Sequence, residues 1–143
     1  DKYQKCIFLE KDKMDESVQY YTDRLNIKSA ALDVKSTQAS NLSGGNQQKI
    51  VIGKWLATTP SILILDEPTR GIDIHAKLEI YNLINELAEG GMSILLVSSD
   101  LPEIIQLCDR VCVLKEGIMT GVLDSHELEQ ENIMRFAAGG ESA

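Results

Sequence analysis

Leu42-Ser43-Gly44-Gly45-Asn46-Gln47-Gln48-Lys49 and, downstream, Ile62-Leu63-Ile64-Leu65-Asp66-Glu67-Pro68 decide the fold of this 143-residue chain. The first stretch reads as a glycine turn opening a helix. Two residues without Cβ let the backbone approach a ligand closely, and the amides of a helix's first turn are unpaired and face outward as an anion site. The Ser43 hydroxyl adds a donor. The second stretch reads as an apolar strand ending on two acids, where Pro68 cannot extend a ladder. Asp66 lies 23 residues after Ser43, room for one helix of about three turns, a short loop and a strand. Open α/β sheets place ligands at the carboxyl ends of strands. Side chains alternate along a strand, so Asp66 and Glu67 diverge and can serve a metal and a water separately.

Outward from this pair the pattern is strand and helix in alternation. Residues 46–57 form one helix, with Ile50, Val51, Trp55 and Leu56 facing inward and Lys49 and Lys54 outward. Pro60 and Ser61 punctuate it. Ile62 to Leu65 is apolar throughout, as a parallel strand covered on both faces should be. A helix follows over 74–88, with Ile80, Ile84, Leu87 and Ala88 at i, i+4, i+7, i+8, capped by Asp73 and stopped by Gly90-Gly91. Then come a strand over 94–97, a helix over 101–107, a hairpin flanking Lys115-Glu116-Gly117, and a last amphipathic helix over 127–138. The first 40 residues are polar. They hold a helix over 15–25 that Asp15 and Glu16 begin, with Val18, Tyr20, Tyr21 and Leu25 near helical spacing, and residues 36–40 form a loop. The class is α/β with right-handed crossovers.

A net charge of −8 and a pI near 4.7 argue against a broad nucleic-acid footprint or a polybasic membrane patch. No apolar run approaches the roughly 20 residues a membrane span needs, and Asp1-Lys2-Tyr3 does not open a signal peptide. Cys6, Cys108 and Cys112 lack metal-ligand or disulfide spacing and read as reduced, partly buried thiols. His75 and His126 are too scattered for a metal site. His126 reads as a surface residue, and His75 lies beside Asp73.

Several motifs together resemble one family. Asn41 to Lys49, Lys54-Trp55-Leu56, the Asp66-Glu67 strand end, Gly71-Ile72-Asp73, Val97-Ser98-Ser99 and Ala138-Gly139-Gly140 resemble the ABC-type ATPases, most closely the carbohydrate importers that carry two nucleotide-binding domains in one polypeptide. The resemblance runs from about Tyr20 to Gly140. Asn46, where most ABC signatures have Gln, is typical of that group. By the resemblance, Ser43, Gly44, Gly45 and Asn46 are the signature motif and contact the γ-phosphate of an ATP held by a partner domain. Asp66 is the Walker B acid that helps hold Mg²⁺, often through water, and Glu67 is the general base for the attacking water. Asp73 matches the D-loop acid at the dimer interface. Ser99 stands where the family usually has a His against the γ-phosphate. Ser can hydrogen-bond there but cannot titrate near neutral pH, so its site is expected to hydrolyse slowly or not at all.

No G-x-x-x-x-G-K-[ST] occurs in the sequence, so the loop that cradles nucleotide phosphates is missing. The expectation is a partial P-loop NTPase core of the ABC type: 1–57 the end of the helical signature subdomain, 58–143 the Walker B half of the catalytic core. The resemblance implies ATP and Mg²⁺ as ligands of the parent protein, with no tight binding by this chain and no ATPase activity alone. It also implies a second nucleotide-binding domain, membrane permease subunits and, indirectly, an extracytoplasmic sugar-binding protein as partners. The location it implies is the cytoplasmic face of the membrane, and missing sheet neighbours favour self-association. Two rival readings stand beside it. One is a half of a DNA-maintenance ABC ATPase, which needs an upstream heptad coiled coil that residues 1–40 do not show. The other is a non-catalytic regulatory module of ABC fold, which Ser99 and the absent phosphate loop favour and the intact Asp66-Glu67 opposes.

Overall fold

The computed structural model describes residues 4–5, 8–28 and 37–140. Cys6, Ser36 and the stretch 29–36 lie outside them. The described residues fall into two compact units, one drawn from 1–63 and 68–93, the other from 64–67 and 94–143.

The first unit opens with two short antiparallel strands, β1 (Gln4–Lys5) and β2 (Phe8–Leu9). Helix α1 (Lys11–Arg24) follows. It begins one turn before Asp15, so Asp15 and Glu16 lie within it rather than at its start, and Asp12 is the acid of its first turn. Its Tyr21 hydroxyl donates to the Leu56 carbonyl at 2.9 Å. Leu25, just past its end, is buried and sits where a Cβ on Gly53 would be only 2.8 Å from its Cδ1. A single 3-10 turn, Ala39–Asn41, leads into helix α2 (Gly44–Leu56). Strand β3 (Ile62–Asp66) supplies its first two residues to this unit. Helix α3 (Ile74–Glu89) packs Ala76, Ile80, Tyr81, Leu83, Ile84 and Leu87 inward. The Gly91 φ of +91° then turns the chain out of the helix.

Three expectations about α2 are corrected. Val51 and Trp55 are exposed, Trp55 at 54%, while Ile52 takes the core position beside Leu56. Ala88 of α3 is likewise exposed. Lys49, expected on the outer face, is 4% exposed. Its ammonium donates to Glu79 Oε2 at 2.8 Å and to the Asn26 carbonyl at 3.3 Å. A cation at a helix position otherwise reserved for core residues is tolerated only when paired. The partner here is on α3, thirty residues away, which no local periodicity announces. The pair holds the Glu79 carboxyl below the usual carboxylate range, chiefly through that hydrogen bond.

The second unit begins with the end of β3 beside β4 (Ser93–Val97). The two strands run parallel: the Glu67 amide donates to the Val97 carbonyl at 2.8 Å, and, in the first unit, Ser93 donates to Ser61 at 3.1 Å. Helix α4 (Leu101–Leu107) leads to β5 (Arg110–Lys115) and β6 (Ile118–Asp124), an antiparallel pair closed by Glu116 and Gly117 at φ +51° and +81°. Two positive φ values are what a two-residue hairpin turn of matching twist requires. Helix α5 (Gln130–Ala137) is shorter than expected, because Ser125–Glu127 form a separate 3-10 turn before it. Its Phe136 packs with Val111, Val113, Leu123, Leu128 and Ile133. The Phe136 ring lies where a Cβ on Gly121 would be, at 2.5–2.8 Å.

β3 is not covered on both faces. Leu63 and Leu65 are buried, but Ile62 is 61% and Ile64 65% exposed, and Leu95 and Val97 of β4 are exposed with them. An apolar strand pair with one open face has the composition of a sandwiched sheet and the environment of an edge layer. Cys108 is half-buried, and its thiol is pushed up by that burial. Cys112 is exposed, against the expectation of a partly buried thiol. Among the described residues no helix is long and apolar enough to cross a membrane.

The ion pair gives a pH test. A carboxyl whose folded-state pKa is depressed contributes stability that is present above its unfolded pKa and lost as pH falls through the folded value. Glu79→Gln is therefore expected to destabilise the chain by about 1–3 kcal/mol near neutral pH. The gap from wild type is expected to narrow in urea titrations repeated at about pH 3.5, below the ordinary glutamate pKa.

Candidate functional site

The first cluster lies in the first unit, at the start of α2. Ser43 occupies the N-cap at φ −58°, ψ 153°, and its hydroxyl makes no capping bond to the helix's backbone amides. The first turn's carbonyl acceptor is Ser43 itself, which takes the Gln47 amide at 2.9 Å. The amides of Gly44, Gly45 and Asn46 precede that bond, as at any helix start. Ser43 and Gly44 are exposed. The glycines do different work. A Cβ on Gly44 would lie 3.3 Å from Ile72 Cγ2, whereas a Cβ on Gly45 would collide with the Cβ of Ala76. Gly45 is thus required by the close packing of α2 on α3, a reason the sequence pattern did not reveal.

Asn46 is held by three bonds. Its Nδ2 donates to the Lys28 carbonyl at 2.9 Å and to Ser43 Oγ at 3.0 Å, and its Oδ1 accepts from the Lys28 amide at 3.1 Å. With Ser43 Oγ already accepting a proton, the hydroxyl's own hydrogen is left to point elsewhere. Nearby, Asp73 caps α3: its Oδ1 accepts from the His75 and Ala76 amides, each at 3.0 Å. The Ala76 bond is the main cause that holds its carboxyl below the usual range. The capping reading of Asp73 is therefore observed. His75 is exposed, with Nε2 3.5 Å from Glu79 Oε1, and His126 is on the surface.

The second cluster lies in the second unit, at the carboxyl end of β3. Asp66 is exposed. Glu67 takes φ +47°, a left-handed conformation rare for a residue with a side chain. Such strain persists where surrounding bonds over-determine it. Here the Glu67 amide is tied to Val97, and its Oε1 accepts from the Ser99 amide at 3.0 Å. The two acids do diverge: one faces solvent, the other faces the loop after β4. That loop is held by Ser98, whose hydroxyl donates to Glu103 Oε2 and accepts the Asp100 amide at 3.0 Å. Asp100 in turn caps α4, its Oδ1 accepting the Glu103 amide at 3.2 Å. The contact between Ser99 and Glu67 is made by Ser99's backbone, so the residue type at 99 does not decide it. Among the described residues no group of three or more His, Cys, Asp and Glu side chains stands ready to enclose a metal. Asp66, an exposed carboxylate at a strand end, suits a hard cation that keeps most of its waters.

Residues 2–70 match the model of the ABC transporter family. The chain belongs to the ABC transporter family. It is 52% identical over 124 residues to the ribose import ATP-binding protein RbsA of Lactococcus lactis, covering 87% of this chain and 25% of that protein. It is 55% identical over 119 residues to the xylose import ATP-binding protein XylG of Geobacillus kaustophilus, covering 83% and 23%. The chain thus spans about a quarter of the length of these curated relatives. Among solved structures it is similar to cbiO1 of Clostridium perfringens, part of the ABC transporter complex cbiONQ (TM-score 0.69, 27% identity, 91% of this chain and 51% of that one). It also shares the fold of MJ0796, a dimeric bacterial ABC transporter cassette (TM-score 0.69, 22% identity, 86% and 51%). The ABC ATPase fold expected from the motifs is the fold found, over about half of a cassette.

Gly45→Ala, the smallest change that tests the close packing of α2 on α3, is expected to cost about 1–3 kcal/mol by overpacking. Gly44→Ala is expected to cost less, and thermal unfolding of the two variants side by side measures the difference.

Proposed function

We propose that this chain is the signature- and acid-bearing portion of the second nucleotide-binding domain of a sugar-import ABC ATPase. Identity of 52% over 124 residues to a ribose import ATP-binding protein and of 55% over 119 residues to a xylose import one carries this reading. The parent protein couples ATP hydrolysis to carbohydrate uptake at the cytoplasmic face of the membrane. It works with a second nucleotide-binding domain, with permease subunits and, through them, with an extracytoplasmic sugar-binding protein. In this reading 1–57 is the end of the helical subdomain and 58–143 the Walker B half of the core.

The two clusters then serve two different ATP molecules. Ser43, with the amides of Gly44, Gly45 and Asn46, donates to a γ-phosphate presented by the partner domain, and Asp73 lies at the same interface. The support is the exposed N-terminus of α2 and a hydroxyl whose proton is free of the Asn46 bond. Asn46 contributes to this site through Ser43. Asp66, Glu67 and Ser99 serve the chain's own nucleotide. Asp66 would hold Mg²⁺ through water, and Glu67 would orient the attacking water and take its proton. The cation, when bound, neutralises charge that develops on the phosphate oxygens.

No G-x-x-x-x-G-K-[ST] is present in these residues. Phosphoryl transfer depends almost wholly on positioning and electrostatics, so the chain alone is an inactive half. The exposed apolar side chains of Ile64, Leu95 and Val97 in the second unit favour self-association of the isolated chain.

The test uses the full-length protein reconstituted with its permease. Ser43→Arg, which fills the anion site with a cation and bulk, is expected to abolish ATP-driven sugar uptake. Glu67→Gln is expected to lower ATP turnover at its own site by at least about 100-fold while nucleotide binding persists. Transport that survives Ser43→Arg unchanged would contradict the assignment.

A further inference from the structure

The least accessible charged side chain described in the second unit is Glu103, at 1% exposure, and the motif chemistry gives it no role. An acid in the first turn of α4 is favoured by the helix dipole, but that does not explain why it is buried. Burying a carboxylate is costly unless hydrogen bonds satisfy it.

The bonds around Glu103 close a ring. Its Oε2 accepts from the Ser98 hydroxyl. Ser98 Oγ accepts from the Asp100 amide at 3.0 Å, and Asp100 Oδ1 accepts from the Glu103 amide at 3.2 Å. Each residue is both held and holding. The ring spans the whole connection between β4 and α4 and flanks Ser99 on both sides. Ser99's amide is the donor that reaches Glu67 Oε1 at 3.0 Å. A helix cap alone would need only Asp100, which already satisfies the first-turn donor. The Ser98–Glu103 bond adds nothing to that cap. What it fixes is the loop's backbone, and therefore the direction of the Ser99 N–H.

We infer that Glu103, acting through Ser98, is a positioning residue for Glu67: it aims the Ser99 amide at the Glu67 carboxylate and so sets the carboxylate's orientation. The inference deepens the reading of Glu67 as general base and rests on it for its catalytic meaning. The contact between the ring and Glu67 stands apart from that reading. A carboxylate misplaced by about 1 Å from the proton it must accept can lose about 100-fold in rate, so a fixed donor against one of its oxygens is mechanistically useful.

The test has two arms. In the isolated chain, the Ser99 amide is followed by nuclear magnetic resonance in a double-mutant cycle of Ser98→Ala and Glu67→Ala. Glu67→Ala is expected to move the Ser99 amide proton upfield in the wild-type background and to leave it nearly unmoved in Ser98→Ala, because the bond is already lost there. Ser98→Ala is also expected to speed Ser99 amide exchange by about 10-fold while β5 and β6 amides keep their protection. Ser98→Thr, which keeps the hydroxyl, restores the wild-type values. If Ser98→Ala fails to fold, Glu103→Gln replaces it in the same cycle. An equal response to Glu67→Ala in both backgrounds overturns the inference.

In the full-length protein, Ser98→Ala is expected to lower kcat of this domain's site by about 10–100-fold with KM for ATP little changed, and Ser98→Thr to recover it. Unchanged kcat in Ser98→Ala overturns the positioning role. Turnover insensitive to Glu67→Gln contradicts the general-base reading instead, and the amide cycle still decides whether the ring holds Glu67.

Discussion

Two hydrogen bonds to one residue organise the acid cluster. The Glu67 amide bonds Val97 as the last rung of the parallel β3–β4 ladder, and its carboxylate takes the Ser99 amide from the loop that follows the same strand. Between them the backbone is held at φ +47°, a conformation that a glutamate does not adopt unforced. The chain therefore leaves the strand abruptly after Asp66. One acid is left facing solvent at the sheet edge while the next is folded back on β4's loop. The separation of an exposed carboxylate from one turned toward the loop after β4 follows from that turn.

The cluster at Ser43 depends on a different constraint, the absence of a side chain at Gly45. Because nothing projects there, the first turn of α2 meets Ala76 on α3 directly. One turn further on, Lys49 finds Glu79, and the same approach places Gly44 beside Ile72, next to the Asp73 cap. Helix packing thus presents Ser43 and the leading amides outward. Glycine pairs of this kind are easily read only as phosphate loops. Here one of the two is explained by packing alone, and its neighbour is left exposed.

Much of this was legible in the residues. Strand β3, helix α3 with its Asp73 cap, helix α4 and the Glu116-Gly117 hairpin all lie within a residue or two of where periodicity and turn chemistry placed them. Each is specified by local signals: an apolar run against a proline, an aspartate two residues before amides that need an acceptor, two positions that demand positive φ. The failures share a cause as well. Lys49 inward and Trp55 outward on α2 reverse what hydrophobicity implies, because a partner thirty residues away satisfies the lysine. Ile62 and Ile64 look like core and are exposed, because apolar composition says what a strand can be packed against, not what is present to pack against it. At the site, Asp66, Glu67 and Ser43 stood out by motif. Glu103 did not, although Asp100-Leu101-Pro102-Glu103 has the spacing of a helix-capping box. The spacing marks the helix start. It does not show that Ser98 takes the amide the glutamate would have reached, which turns a local cap into a clamp on the neighbouring strand's loop.

The central claim is that these residues supply halves of two nucleotide sites and a whole of neither. Calorimetric titration of the isolated chain with Mg-ATP tests it most directly. No saturable heat up to about 1 mM nucleotide, the weak end of specific affinity at about 4 kcal/mol, is the result the account predicts. Saturable one-to-one binding with a micromolar dissociation constant would contradict it. It would mean that a complete phosphate pocket forms without a G-x-x-x-x-G-K-[ST] loop, and the division of Ser43 and Glu67 between separate sites would fall.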